Sequence, residues 1–168
     1  MAGPCRVDVD VEEEFGAHAC ITSAWLPLQF KRNGPWSISQ FVLGHTIYEG
    51  RNSRLHHGVD KVSGVAIAVK VYTKDKLTAL NRFQVEREVN IHISLKHENV
   101  INLYAAFEDA HNIYMVMELA GGGDLFSRVR AAGGSFKDEH TVQDVIRSFL
   151  DALNYLHCQG LGFRVFRV

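Results

Sequence analysis

The stretch VAIAVKVY, residues 65–72, decides how the rest of the chain is read. Every second residue is β-branched, which favours an extended backbone. Strand alternation then puts Val65, Ile67, Val69 and Val71 on one face and Ala66, Ala68, Lys70 and Tyr72 on the other. Lys70 therefore stands beside the small Ala68. A flat ring could approach the backbone over Ala68 while the Lys70 ammonium reached an anionic tail on the same ligand. A lone lysine snorkelling from a strand edge would leave the same pattern, and the strand by itself does not separate the two.

Upstream, from Phe41 to Val71, β-branched and apolar residues are broken at Gly44, Gly50, Gly58 and Gly64, as short antiparallel strands joined by turns require. Downstream, Leu80, Gln84, Glu88, His92 and Leu95 recur at helical spacing within 77–95, which predicts a helix with that face turned to the sheet. Two more strand-like runs follow, Val100 to Phe107 and Ile113 to Leu119, around the polar turn from Glu108 to Asn112. The composition then changes. Gly121, Gly122 and Gly123 form a flexible junction before a short helical segment at Leu125 to Val129, and Gly133 and Gly134 make a second break. Val142, Val145, Ile146, Phe149, Leu153 and Leu156 mark one stripe of an amphipathic helix that ends before Gly160. The chain reads as α+β: a mostly β lobe of antiparallel strands with one helix, a glycine hinge, and the start of a helical lobe. No internal repeat occurs.

The 35 residues before Trp36 mix an acidic patch, scattered aromatics and Pro4, Pro27 and Pro35 without periodicity, and are read as a poorly ordered N-terminal extension. With 46% hydrophobic and 22% charged residues over a length of 168, the composition is that of a globular protein with one domain. A net charge of −1, from 18 basic and 19 acidic side chains, provides no field to recruit nucleic acid or an anionic membrane. Cys5, Cys20 and Cys158 are odd in number and contain no C-x-x-C pair, which argues against a disulfide framework and for a reducing compartment. Glu12, Glu13 and Glu14 interrupt the place of a targeting peptide, and no apolar run approaches the about 20 residues of a membrane span. An intracellular location, cytoplasmic or nuclear, with no membrane partner is the expectation.

Among residues that could carry chemistry, Glu88 complements Lys70. An acid on an inward helix face needs a cation, and Lys70 is the obvious one; a glutamate turned outward in a solvated run with Glu86 and Arg87 is the alternative. In the turn I-Y-E-G-R-N-S-R-L, residues 47–55, Gly50 would let the backbone come close to phosphates, although an ordinary hairpin needs no more than this. The nine histidines offer no H-E-x-x-H or similar ligand spacing, and no metal site is assigned to side chains.

Taken in register from Phe41 to about Gly160, these features resemble the eukaryotic protein kinase family. Ile67-Ala68-Val69-Lys70 is similar to its V-A-I-K strand, and Lys70 lies 15 residues after Leu55, which takes the place of the valine closing the glycine-rich loop. Of that loop's three glycines only Gly50 is present; Tyr48 and Ser53 stand for the other two. Val85-Glu86-Arg87-Glu88-Val89 resembles the C-helix, Leu95 to Val100 the L-x-H-P-N-I turn with Glu98 for proline, and Tyr114 to Phe126 the hinge. The Gly122-Gly123-Asp124-Leu125-Phe126 run resembles serine/threonine rather than tyrosine kinases.

The resemblance implies a lobe over 41–119, a hinge over 118–124 and the beginning of a helical lobe over 125–160. It implies ATP as ligand, with Ile47, Gly50, Leu55 and Ala68 around the ring and phosphates and Lys70 on the α- and β-phosphates. Glu88 is then the partner of Lys70, Met117 the gatekeeper, Glu118 and Ala120 the backbone contacts to adenine, and Asp124 the ribose contact. Mg²⁺ and a protein substrate are expected for the complete family. After Leu153 to Gly160, where the family continues His-Arg-Asp, the chain has Phe163-Arg164-Val165 and a divergent tail over 161–168. The aspartate that receives the hydroxyl proton is thus a valine, and the D-F-G aspartate that holds Mg²⁺ is missing. The expectation is an ATP-binding kinase portion, inactive alone; a truncated homologue serving as a nucleotide-binding or protein-interaction module is the alternative.

Overall fold

The computed structural model describes residues 20–134 and 139–161. Over these the chain forms two compact units: 20–96 with 101–119, and 97–100 with 120–134 and 139–161.

The first unit is built on one antiparallel sheet. Its strands are β1 (Cys20–Thr22), β2 (Phe41–Glu49), β3 (Ser53–Asp60), β4 (Ala66–Thr73), β5 (Leu103–Glu108) and β6 (Asn112–Glu118), in the order β1-β5-β6-β4-β3-β2. Helix α1 (Ala79–Ser94) follows β4, with the Thr78 hydroxyl accepting from the Asn81 amide at its start. β4 and β6 are central, and a strand covered on both faces must be apolar at nearly every position. That is why Ile113, Tyr114, Met115, Val116 and Met117 are consecutive and all buried.

Two cores lie on the two faces of this sheet. On one, Val85, Val89 and Ile93 of α1 pack with Ala68, Tyr72, Leu103, Ile113, Met115 and Met117. On the other, Ile67, Val69, Ala105, Phe107, Tyr114 and Val116 are covered by Phe30, Trp36 and Phe41. The alternation read from VAIAVKVY therefore divides β4 between the cores as expected.

Two expectations need correction. Residues 20–35, the described part of the stretch read as a poorly ordered extension, are docked: β1 pairs with β5 from Cys20↔Phe107 to Thr22↔Ala105, and Phe30 is 1% exposed. The covering is done by single aromatics on short turns, with Trp36 against Phe41 and Phe30 against Tyr104, so no periodicity announces it. In α1, the inward stripe is Val85, Val89 and Ile93; of the face read from spacing, Leu95 just past the helix end is buried, Glu88 and His92 are half-buried, and Leu80 and Gln84 are exposed. The β-branched residues that count against a helix locally are the ones the sheet covers; Leu80, in the first turn, is 66% exposed.

The second unit holds α2 (Leu125–Ala131) and α3 (Glu139–Cys158). Both end on left-handed glycines, Gly133 and Gly160. At each, the glycine amide and the amide after it turn back on helix carbonyls, as in Gly160 to His157 and Leu161 to Leu156. Along the apolar stripe of α3, Leu156 is buried, while Ile146 and Phe149 are exposed. His97 stacks on Tyr155 within this unit, with ring centroids 4.9 Å apart. No helix among the described residues is long and apolar enough to cross a membrane.

Candidate functional site

Lys70 is held from both sides, since β4 pairs with β3 at Leu55↔Lys70 and with β6 at Lys70↔Met115. Its side chain leaves the face of Ala68 and Tyr72, where α1 brings Glu88 to meet it: Lys70 Nζ donates to Glu88 Oε1 at 2.6 Å. Glu88 lies on the flank of the buried α1 stripe, so its carboxylate reaches the sheet while staying 37% exposed. The pair is open to solvent and to a ligand, which a fully enclosed pair would not be.

The other carboxylate oxygen is also engaged. Tyr72 Oη donates to Glu88 Oε2 at 2.9 Å, and Lys70 Nζ stands 4.9 Å from the Tyr72 ring centroid. Burial first, then the Glu88 charge and this hydrogen bond, push the Tyr72 phenol well above its ordinary pKa. One turn along α1, His92 Nε2 lies 2.8 Å from the Ile101 carbonyl. A carbonyl only accepts, so Nε2 carries the proton there. Burial lowers the His92 pKa and so favours the neutral ring.

Beside Lys70, Ala68 pairs with Met117, both nearly buried, and Leu55 packs on the same core. The register shift between Thr46 and Tyr48 makes Ile47 the extra residue of a bulge, so Ile47 and Tyr48 together oppose Leu55; they are 46% and 63% exposed. Gly50 closes the β2–β3 turn through its amide to the Ser53 carbonyl at 2.8 Å. A Cβ at Gly50 would come within 3.3 Å of the Tyr48 ring, so the glycine keeps that turn slim. At the end of β6, the Glu118 amide donates to the Asn102 carbonyl at 2.9 Å, and the Asn102 amides return to Glu118 Oε2. The Glu118 amide and Oε2 are thus engaged with Asn102.

Ala120 and Asp124 belong to the second unit. Ala120 is exposed. Asp124 caps α2: Ser127 donates its amide to Oδ1 and its hydroxyl to Oδ2, both at 2.7 Å. The Ser127 hydroxyl and then its amide hold the Asp124 carboxyl below the ordinary aspartate range.

The structure thus brings Lys70, Glu88, Ala68, Leu55 and Met117 together on one sheet face. A small residue, an apolar flank and a paired ammonium in reach of solvent fit a planar ring that carries an anionic tail. Among the described residues no group of three or more His, Cys, Asp or Glu side chains is arranged to hold a metal ion. Phe163, Arg164 and Val165 lie outside the described residues. Tyr72 and Asn102 were missed from sequence. Alternation already set the Tyr72 hydroxyl on the Lys70 face, where a buried phenol needs a partner; nothing in the sequence pointed to Asn102.

A model of the protein kinase domain family matches residues 41–165, well over half of the chain, and the chain belongs to that family. Among the proteins it is similar to are named serine/threonine-protein kinases. It is 31% identical over 128 residues to CBL-interacting serine/threonine-protein kinase 17 of Arabidopsis thaliana, covering 76% of this chain and 29% of that protein. It is 31% identical over 122 residues to an Aurora kinase of Encephalitozoon cuniculi (strain GB-M1), covering 72% and 44%. It is 41% identical over 106 residues to calcium/calmodulin-dependent serine/threonine-protein kinase 1 of Oryza sativa subsp. japonica, covering 62% and 18%. The chain spans less than half the length of each.

Proposed function

We propose that this chain carries the ATP-binding portion of a serine/threonine protein kinase domain, whose reaction is phosphoryl transfer from ATP to a protein hydroxyl. The observation that carries the reading is the 2.6 Å contact of Lys70 Nζ with Glu88 Oε1, on the sheet face that also presents Ala68 beside Met117. The adenine lies against Ala68, Leu55 and Ile47, next to Met117, with the Glu118 carbonyl as a polar contact. Gly50 lets the β2–β3 turn approach the phosphates, and Lys70, aimed by Glu88, binds the α- and β-phosphates. Mg²⁺ bound with the nucleotide would neutralise phosphate charge. The lobe of 41–119 and the helical segment from Leu125 are joined by the hinge 118–124.

A second reading, a nucleotide-binding or protein-interaction module without phosphoryl transfer, has one observation in its favour: Val165 stands where the family carries its proton-accepting aspartate. The two divide on transfer of labelled γ-phosphate to a generic protein acceptor.

The first reading requires nucleotide binding, as does the nucleotide-binding form of the second. A ligand of the native state raises its stability by RT ln(1 + [L]/Kd), about 2.7 kcal/mol at a hundredfold excess over Kd. Melting the 168-residue chain with Mg-ATP should raise Tm, and Lys70→Met should remove the rise while the sheet stays folded. Equal ATP affinity in folded Lys70→Met sinks the assignment.

A further inference from the structure

A carboxylate has two oxygens, and Lys70 takes one. The second is taken by Tyr72, a residue of β4 itself, two positions beyond Lys70 and on the same face. We propose that Tyr72 is a positioning residue that ties Glu88, and with it α1, to β4 independently of Lys70, so that the lysine can turn to a phosphate without releasing the helix.

Three features carry this. The Tyr72 ring is 7% exposed and packs in the α1-side core, so the hydroxyl is delivered from a fixed position. The phenol, pushed up by burial and by Glu88, stays protonated near neutral pH and remains a donor. His92, the other polar side chain of α1 here, does not substitute for it. Its Nε2–H is spent on the Ile101 carbonyl, and a neutral ring has no second N–H to offer Glu88. Without Tyr72, Glu88 would rest on an ion pair whose side chains are 26% and 37% exposed, an arrangement that holds weakly in water. With it, Glu88 is anchored twice on one strand. The ring face adds a contact of its own to the Lys70 ammonium at 4.9 Å, so one side chain orients both members of the pair.

What Lys70 turns to rests on the nucleotide reading above; the anchoring of α1 does not. Tyr72→Phe deletes one oxygen and keeps the ring, its packing and its contact with Lys70. In the full chain without nucleotide, amide hydrogen exchange across Ala79–Ser94 should rise about tenfold on loss of a hydrogen bond to a charged group, with β5 and β6 unchanged. Lys70→Met should leave that exchange near wild type, because Tyr72 still holds Glu88.

By calorimetry, Tyr72→Phe should weaken Mg-ATP about fivefold and leave adenosine, which has no phosphates for Lys70, as it was. A purely structural role would shift both ligands alike. Unchanged α1 exchange in Tyr72→Phe overturns the proposal, as does an equal rise in Lys70→Met or a rise spread over β5 and β6. If the wild type binds neither ATP nor adenosine, the nucleotide reading falls, and the exchange result alone still decides the role of Tyr72.

Discussion

Arg32 and Asp60 form the most enclosed ion pair among the described residues, and breaking it should detach the aromatic cover of the sheet. Arg32 Nη2 meets Asp60 Oδ1 at 2.8 Å, with side-chain exposures of 10% and 0%. The Ser63 amide and hydroxyl donate to Asp60 Oδ2 at 2.9 and 2.6 Å, and the guanidinium lies 4.1 Å from the Trp36 ring centroid. Asp60→Ala leaves a guanidinium against two aromatic rings with no anion. Removing one partner of a buried pair costs about 3–5 kcal/mol, and the small exposure of Arg32 favours the lower end, roughly 3 kcal/mol. At a urea slope of about 2 kcal/mol per molar, the midpoint falls by roughly 1.5 M. The two tryptophans, Trp25 and Trp36, both lie in the first unit, so their fluorescence follows this transition and not the second unit's. Arg32→Met/Asp60→Asn leaves neither charge stranded and should lose about 2 kcal/mol less than the two single variants summed. Burial by itself raises the Asp60 pKa, but the Ser63 hydroxyl and amide and Arg32 outweigh it and hold the carboxyl below its ordinary value. The stability this contributes is complete above the unfolded aspartate pKa and is lost as pH falls through the lower folded value. Asp60→Asn should therefore flatten the acid limb of the stability curve. Single variants that add within about 0.5 kcal/mol would refute the coupling.

Phe30→Ala, at a side chain 1% exposed, should destabilise by about 3 kcal/mol, measured by the same fluorescence; a cost under about 0.5 kcal/mol would mean that residues 20–35 are not part of the fold. Val89→Ala on the inward stripe of α1 should cost about 2 kcal/mol, and Leu80→Ala, at 66% exposure, under about 0.5 kcal/mol; the reverse order in urea titrations would restore the helix face read from spacing.

How far these features were legible depended on whether the signal was local. Alternation in VAIAVKVY set Ala68 and Lys70 on one face because strand geometry repeats every two residues whatever the partner strands do. The pairing of Glu88 with Lys70 was reached by matching an inward acid to a nearby cation. Glu88 sits beside the α1 stripe rather than in it, but residues on the flank of a stripe still reach the sheet. What spacing could not supply was the cover of the other face. Phe30 and Trp36 act singly from short turns, and the Arg32–Asp60 pair closes over 28 residues, a separation at which no periodic pattern exists. Asp124 shows a different limit, because a residue read for ligand contact has both carboxylate oxygens satisfied within its own helix start.

The two faces of the sheet are one system through β4. Ile67 and Val69, both 0% exposed, are locked beneath the aromatics, and the residues between and after them are Ala68 and Lys70. A shift of β4 by one residue would exchange the faces, bury the lysine under Trp36 and Phe41, and turn Ile67 or Val69 toward α1. The aromatic cover therefore fixes the register that presents Lys70, from the side of the sheet that Lys70 never touches. Gly58 adds to this constraint, since a Cβ there would come within 3.3–3.4 Å of the Val42 carbonyl and of the side chains of Ile67 and Val69. A larger residue at that point would push these neighbours back by a few tenths of an ångström. The position of the lysine is thus set by two buried aliphatic side chains, one glycine and three aromatic rings, and Glu88 and Tyr72 orient an ammonium whose place on the sheet is already decided.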